Sequence, residues 1–195
     1  MIILFRHGKT LWNLEKRLQG QENNSELLPI DSELIENINT EFKNLIFDNL
    51  FVSPAKRACD YIKFFDLKFK LKIIEPSLNE ISFGVLSGCR MDEIEPQILR
   101  ARNENKWYFR PQNGESYDDL FHRLDNFSKY LLSISEQYIA IVGHETCNKV
   151  LIGKLLNFSR EKILKLKQAN ECVYKIQDNN LYKKDFIGES KWEKL

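Results

Sequence analysis

The sequence holds no apolar run near the roughly 18 residues that a membrane-spanning helix needs. It has no surplus of either charge: 29 Lys and Arg against 28 Asp and Glu leave a formal net charge of +1. No overall field therefore points to nucleic acid or to an anionic membrane, and any anion site must come from locally placed cations. The four cysteines, Cys59, Cys89, Cys147 and Cys172, are far apart and form no Cys-x-x-Cys pair, which fits free thiols in a reducing compartment. None starts a Cys-x5-Arg loop of the kind cysteine phosphatases use. No Gly-x4-Gly-Lys-[Ser/Thr] stretch is present, so there is no nucleotide P-loop. The few histidines stand apart from any set of Cys or Asp at ligand spacing, so neither metal nor cofactor is expected. The opening "MIILF" is too short for a signal-peptide core and runs on into the polar "NLEKRLQGQENN". The expectation is a cytoplasmic protein that contacts no membrane and no nucleic acid.

At 195 residues the chain is expected to form one domain, 1–195, with a lid or insertion at about 80–114. "MIILF" reads as a strand buried on both faces, the parallel-sheet pattern. Asp31 or Ser32 opens a helix bearing Leu34, Ile35, Ile38, Phe42, Leu45 and Ile46 on one side. "NLFVS" is a second strand, and Ser53-Pro54 is expected to cap the helix that follows. "LKIIE" is a third strand. From Leu78 to about Gly114 the pattern is irregular, with a helix expected from about Asp92 to Asn103. Ser116 with Asp119 resembles a capping box and opens a helix through Leu120, Leu124, Phe127 and Leu131. "YIAIV" is a fourth strand, followed by a helix from about Thr146 to Leu156. "CVYKI" and "LYKKDFI" suggest a terminal hairpin. Alternating strands and helices predict an α/β fold, a three-layer αβα sandwich around a mostly parallel sheet.

In such sheets the site lies beyond the carboxyl ends of the strands. There the topology gathers Arg6-His7-Gly8, the stretch from Ser53 to Arg57, Glu80, and Gly143-His144. Arginine forks bind phosphate oxygens in pairs and stay charged at neutral pH. Gly8 is expected to let the backbone turn close to the anion, and backbone N–H groups at the helix opening near Ser53-Pro54 offer further affinity. A neutral imidazole among cations can attack phosphorus and carry the phosphoryl group. A carboxylic acid can protonate the leaving oxygen and then act as base for water. His122 reads as a helix-surface residue and Cys147 as a packing thiol.

These residues also resemble a family. "RHGKTLWN", with Arg17, Gln19 and Gly20 just after, is similar to the opening motif of the histidine phosphatases, the phosphoglycerate mutase-like superfamily. "VSPAKRA", "LNEISFG", "NGES", "VGHE" and "QANECVYKI" follow in the family's order along nearly the whole chain. The resemblance implies a phosphoglycerate mutase-like fold with His7 as phosphoryl acceptor and Glu80 as proton donor. It implies Arg6, Arg57 and His144 around the phosphate, with Asn13, Gln19 and Gly20 as further binding residues. The function it implies is a metal-independent phosphomonoesterase acting on a small phosphorylated metabolite, similar to the α-ribazole phosphatases. Two alternatives stand beside it: a phosphoglycerate mutase, and a non-catalytic phospho-ligand binder. The partner is then a small phosphoester, and the chain a monomer or homodimer. Lys9 and Glu145 depart from the family pattern and bear on substrate choice.

Overall fold

A computed structural model of the chain describes residues 1–134, 137–188 and 190–195. In chain order the elements are β1 (Ile2–Arg6), α1 (Leu11–Leu14), α2 (Ser32–Phe42), β2 (Ile46–Val52), α3 (Lys56–Tyr61) and β3 (Lys68–Ile74). Then come α4 (Pro96–Glu104), α5 (Tyr117–Arg123), α6 (Asp125–Ser133), β4 (Ile139–Gly143), α7 (Glu145–Leu155) and α8 (Arg160–Lys165). The chain closes with β5 (Cys172–Gln177), β6 (Asn180–Asp185) and β7 (Glu193–Lys194). The seven strands form one sheet in the order β3-β2-β4-β1-β5-β6-β7. The four on the β3 side run parallel, and β5, β6 and β7 continue antiparallel.

The alternation along β1 shows how two cores arise from one strand. Ile2 and Leu4 point to a cluster filled by Leu120, Leu124, Leu131, Val150 and Leu151 from α5, α6 and α7. Ile3 and Phe5 point to the opposite cluster, filled by Leu34, Ile38, Phe42, Ala58 and Tyr61 from α2 and α3. Both faces are covered, so the strands read as continuous apolar runs, and the three-layer αβα sandwich is the observed architecture.

Several boundaries differ from expectation for local reasons. Asp31 is the cap of α2, accepting the Glu33 N–H at 2.8 Å. The helix expected from Asp92 begins at Pro96, whose fixed φ suits a first helical position. Ser116 and Asp119 do form the reciprocal capping box, but the helix behind them breaks at Leu124 into α5 and α6. Strand β3 starts at Lys68, earlier than the apolar pattern shows: it is an edge strand, and alternating lysines face water there.

The region about 80–114 packs back on the segment that follows α1. Leu18 makes both backbone bonds there, its N–H donating to Cys89 O and its carbonyl accepting the Gly88 N–H. Gly84 sits at φ +51°, where a Cβ would lie 2.0 Å from the Gln112 carbonyl oxygen, so this close loop crossing admits only glycine. No helix among the described residues is long and apolar enough to cross a membrane.

Candidate active site

The parallel register builds the site. β1 and β4 are neighbours with Arg6 opposite Gly143, so the next residues, His7 and His144, leave the sheet side by side. Their ring centroids lie 5.1 Å apart. β2 adds Ser53, whose N–H donates to Val142 O at 2.9 Å.

His7 is almost fully buried. Its Nδ1 lies 2.7 Å from Gly8 O. A carbonyl only accepts, so Nδ1 carries the proton and Nε2 keeps its lone pair. Burial, then the charges of Arg57 and Arg6, hold the imidazole well below its usual pKa. The ring is therefore neutral at pH 7. Its backbone is pinned on both sides: the His7 N–H donates to Gly143 O at 3.0 Å, and Asn170 Nδ2 donates to His7 O at 2.7 Å.

Arg57 is buried on α3, and its Nη1 and Nη2 donate to the carbonyls of Glu22 at 2.8 Å and Gly20 at 2.6 Å. Burial lowers its pKa to about 10, still charged at neutral pH. Its Nη2 also reaches His144 Nδ1 at 3.1 Å. A guanidinium can only donate, so this nitrogen of His144 accepts and the other, Nε2, carries the proton. That proton goes to Ser53 Oγ at 2.8 Å. His144 is fully buried and held neutral by burial, Arg57, His7 and Arg6. His144 does not line the cavity; its ring packs beside that of His7 and its Nδ1 faces Arg57.

The cavity holds about 290 Å³ and is lined by Arg6, His7, Asn13, Gln19, Gly20, Arg57 and Glu80. Four further cations join them: Arg17, Arg102, Lys106 and Lys149. Three buried donors without a partner among the described residues belong to this wall, namely Arg6 Nε, Gln19 Nε2 and Arg57 Nε. Asn13 closes a capping box with Thr10, its Oδ1 accepting the Thr10 N–H at 3.1 Å, which leaves its amide N–H groups for the cavity. Gly20 contributes its carbonyl to Arg57.

Glu80 sits across the N-terminus of α7. One carboxylate oxygen accepts the N–H groups of Ile81 (2.9 Å) and Cys147 (3.0 Å), the other that of Thr146 (3.1 Å). Arg123 braces the same loop from behind, donating to Ser77 O, Asn79 O and Glu80 O while paired with Glu115. A larger groove of about 720 Å³ runs along 23–29 and α3 but includes neither His7 nor Glu80. The convergent polar groups make the smaller cavity the candidate site.

Three expectations need correction. The N–H groups after Ser53-Pro54 are taken: Ala55 donates to Ser53 Oγ and Lys56 to Asn23 Oδ1. Ser53 caps no helix; the cap of α3 is Ala55, without a side-chain bond. Gly8 is needed for close packing on Tyr61, whose ring would lie 2.7 Å from a Cβ there. The two departures from the family pattern also separate. Lys9 lies outside the cavity wall, 3.9 Å from Glu171 at the surface. Glu145 is in the wall, 3.0 Å from Arg6 Nη1.

Sequence reasoning missed Arg102, Lys106, Lys149, Gln168 and Asn170 as parts of the site or its frame, and the uses of Ser53 and Arg17 within it. Gln168 and Asn170 lie in the "QANECVYKI" stretch, two amides ahead of a buried strand, and that placement is the signal that could have found them. Gln168 Nε2 donates to Leu4 O and Cys172 O. Arg102 and Lys106 share an i, i+4 spacing, but only the course of the 80–114 region brings them to the cavity.

One edge of the parallel strands thus carries a neutral histidine, the buried Arg57, the half-buried Arg6 and a carboxylate, a set suited to holding an anion. The chain belongs to the histidine phosphatase superfamily (branch 1), whose family model matches residues 2–181. It is 27% identical over 168 residues to the fructose-2,6-bisphosphatase of Saccharomyces cerevisiae, covering 83% of this chain and 35% of that protein. It is 29% identical over 136 residues to a probable fructose-2,6-bisphosphatase, TIGAR A, of Danio rerio, covering 66% of this chain and 52% of that one. The chain thus spans about a third of the length of the first of these relatives and about half of the second. With the probable phosphoglycerate mutase GpmB of Erwinia tasmaniensis it shares 25% identity over 182 residues, 90% of this chain and 83% of the relative. In fold it is similar to a putative α-ribazole-5'-P phosphatase from Escherichia coli, with TM-score 0.78 and 21% identity over 100% of this chain and 94% of that one.

Proposed function

We propose that this protein is a metal-independent phosphomonoesterase that works through a phosphohistidine on His7. The observation that carries the reading is the state of that side chain: neutral, fixed through Nδ1, with a free Nε2 lone pair in a cationic cavity wall. The substrate phosphate docks against Arg6 and Arg57, whose Nε–H groups, like that of Gln19 Nε2, have no partner among the described residues, and the Asn13 amide stands in the same wall. Nε2 attacks phosphorus, the P–O ester bond breaks, and Glu80 gives its proton to the departing oxygen. Water then attacks the phosphohistidine, Glu80 takes a proton from it, and the N–P bond breaks to release phosphate. The arginines stabilise charge on the transferring oxygens. His144 acts through Arg57, holding it in place.

The wall also speaks for a substrate with a second anionic group. Arg102, Lys106 and Lys149 form a second cationic cluster beyond Arg6 and Arg57. Burial first, then the charges of Lys149 and Arg102, lowers the Lys106 pKa, so these cations are near one another. A bisphosphorylated sugar satisfies both ends, and two of the relatives bear names of bisphosphatases. The test is kcat/KM for fructose 2,6-bisphosphate against p-nitrophenyl phosphate in the wild type and in a Lys106→Met, Arg102→Ala double variant. The reading predicts that the variant loses at least about tenfold more on the bisphosphate, since each charge-assisted bond contributes about 1.5–3 kcal/mol. Equal losses on both would remove the second anion site. Conversion of 3-phosphoglycerate to its 2-isomer, with a trace of bisphosphate primer and little free phosphate, would make the chain a mutase instead.

A further inference from the structure

Among the described residues, the one carboxylate besides Glu80 in the cavity wall is Glu145, and nothing in the mechanism uses it. The first residue of α7, it directly follows His144. Its Oε2 lies 3.0 Å from Arg6 Nη1, so it stands beside the place where the phosphate docks. Its influence also reaches outward: its charge pulls on Lys106, opposing Lys149 and Arg102. Glu145 thus shares one cavity wall with the arginines that face the phosphate and with Arg102, Lys106 and Lys149.

Its bonding differs from that of Glu80. Glu80 spends its oxygens on three backbone N–H groups. Among the described residues Glu145 is tied to a single side chain, and about a third of its own side chain is exposed. An ionised carboxylate has only acceptors to offer. A hydroxyl on the carbon skeleton can donate to it, whereas a substrate carboxylate meets a like charge with no proton to share. Discrimination of this kind works by penalising the wrong ligand as much as by favouring the right one.

We propose that Glu145 is a specificity-determining residue, selecting phosphoesters whose skeleton presents a hydroxyl beside the phosphate site and rejecting those that present a carboxylate there. The inference rests on the phosphatase reading of the same cavity. It places a phosphorylated polyol or sugar ahead of a phosphoglycerate, although the cavity as a whole is rich in cations.

A matched pair of esters tests it. Glycerol 3-phosphate and 3-phosphoglycerate differ only in carrying CH2OH or a carboxylate on the carbon farthest from the ester. The quantity to measure is the ratio of their kcat/KM values in the wild type, Glu145→Gln and Glu145→Asp. The wild type should favour glycerol 3-phosphate. Glu145→Gln, which removes the charge but keeps the size, should lower that preference by about tenfold or more. Glu145→Asp should keep most of it. A wild type that prefers 3-phosphoglycerate, or a ratio that Glu145→Gln leaves unchanged, overturns the inference. Dissociation constants for the two esters on His7→Asn protein, with and without Glu145→Gln, separate this inference from the phosphatase reading. If neither ester, nor p-nitrophenyl phosphate, nor fructose 2,6-bisphosphate is hydrolysed, that reading fails, and the ratio of the two constants still decides whether Glu145 selects.

Discussion

Replacing Ser53 by alanine tests the chain of bonds that runs from Arg57 through His144. Arg57 donates to His144 Nδ1, His144 Nε2–H donates to Ser53 Oγ at 2.8 Å, and Ser53 in turn reaches Asn79 Oδ1 at 3.4 Å. All of Ser53 and all of His144 is buried. Removing the hydroxyl leaves the His144 N–H without an acceptor and away from water, which costs about 1–3 kcal/mol. The Ala55 N–H also loses its 3.3 Å bond to Oγ, a long contact that adds little. A total of about 2 kcal/mol follows, a large part of the roughly 5–15 kcal/mol that holds a domain folded. With a urea m-value of about 2 kcal/mol per molar, the midpoint should fall by about 1 M. The imidazole, released on one side, no longer fixes the Arg57 guanidinium, so kcat/KM should drop by about tenfold or more even at temperatures where the variant is folded. Urea titrations followed by fluorescence and circular dichroism, with phosphate release measured in parallel, check both effects. A midpoint and a kcat/KM both equal to the wild type would refute the tautomer assignment and the role of His144 built on it.

Stability should also depend on pH through the two buried histidines. Both are neutral in the folded state, their pKa values held below the ordinary value of about 6.5, so at lower pH the unfolded chain binds the extra protons. Their contribution is whole above about pH 6.5 and is lost as pH falls below it, by up to about 1.4 kcal/mol per pH unit for each. A His144→Asn variant should therefore show a shallower loss of stability between about pH 6 and pH 5 than the wild type, by that amount; an unchanged slope contradicts burial of a neutral ring. Gly84→Ala should destabilise by more than about 1 kcal/mol and raise KM, because the added carbon meets the Gln112 carbonyl and pushes the Phe83 side of the wall; thermal melts and steady-state kinetics read both. Phosphate release should persist in excess chelator, and activity lost to chelation and regained with a divalent cation would end the metal-independent mechanism.

Much of the fold and of the inner site is legible in the amino-acid order alone. The apolar runs at 1–5 and 138–142 fit central parallel strands, and once these are neighbours His7 and His144 must leave the sheet together. The ordered motifs point to Arg57 and Glu80, and both stand in the cavity wall. What stays hidden depends on contacts between distant segments. Ser53 reads as a helix cap because Ser-Pro commonly is one, yet its hydroxyl is claimed by a histidine 91 positions away. Arg102 and Lys106 belong to no motif, and only the irregular chain path from 80 to 114 brings them to the cavity; Lys149 reaches it from α7. Lys9 and Glu145 are equal candidates for substrate choice in the sequence; pairing and exposure separate them, since Lys9 faces solvent beside Glu171 and Glu145 touches Arg6.

The central claim is that His7 Nε2 carries the phosphoryl group, and trapping that group tests it most directly. The enzyme should be mixed with a phosphomonoester labelled in its phosphate, quenched within the first turnover under alkaline denaturing conditions, and mapped by peptide mass spectrometry. The account predicts label on the peptide containing His7, attached at Nε2, stable to alkali and lost in acid, and absent from a His7→Ala variant that no longer releases phosphate. Turnover without label on His7, label on another residue, or wild-type rates from the His7→Ala variant would contradict it.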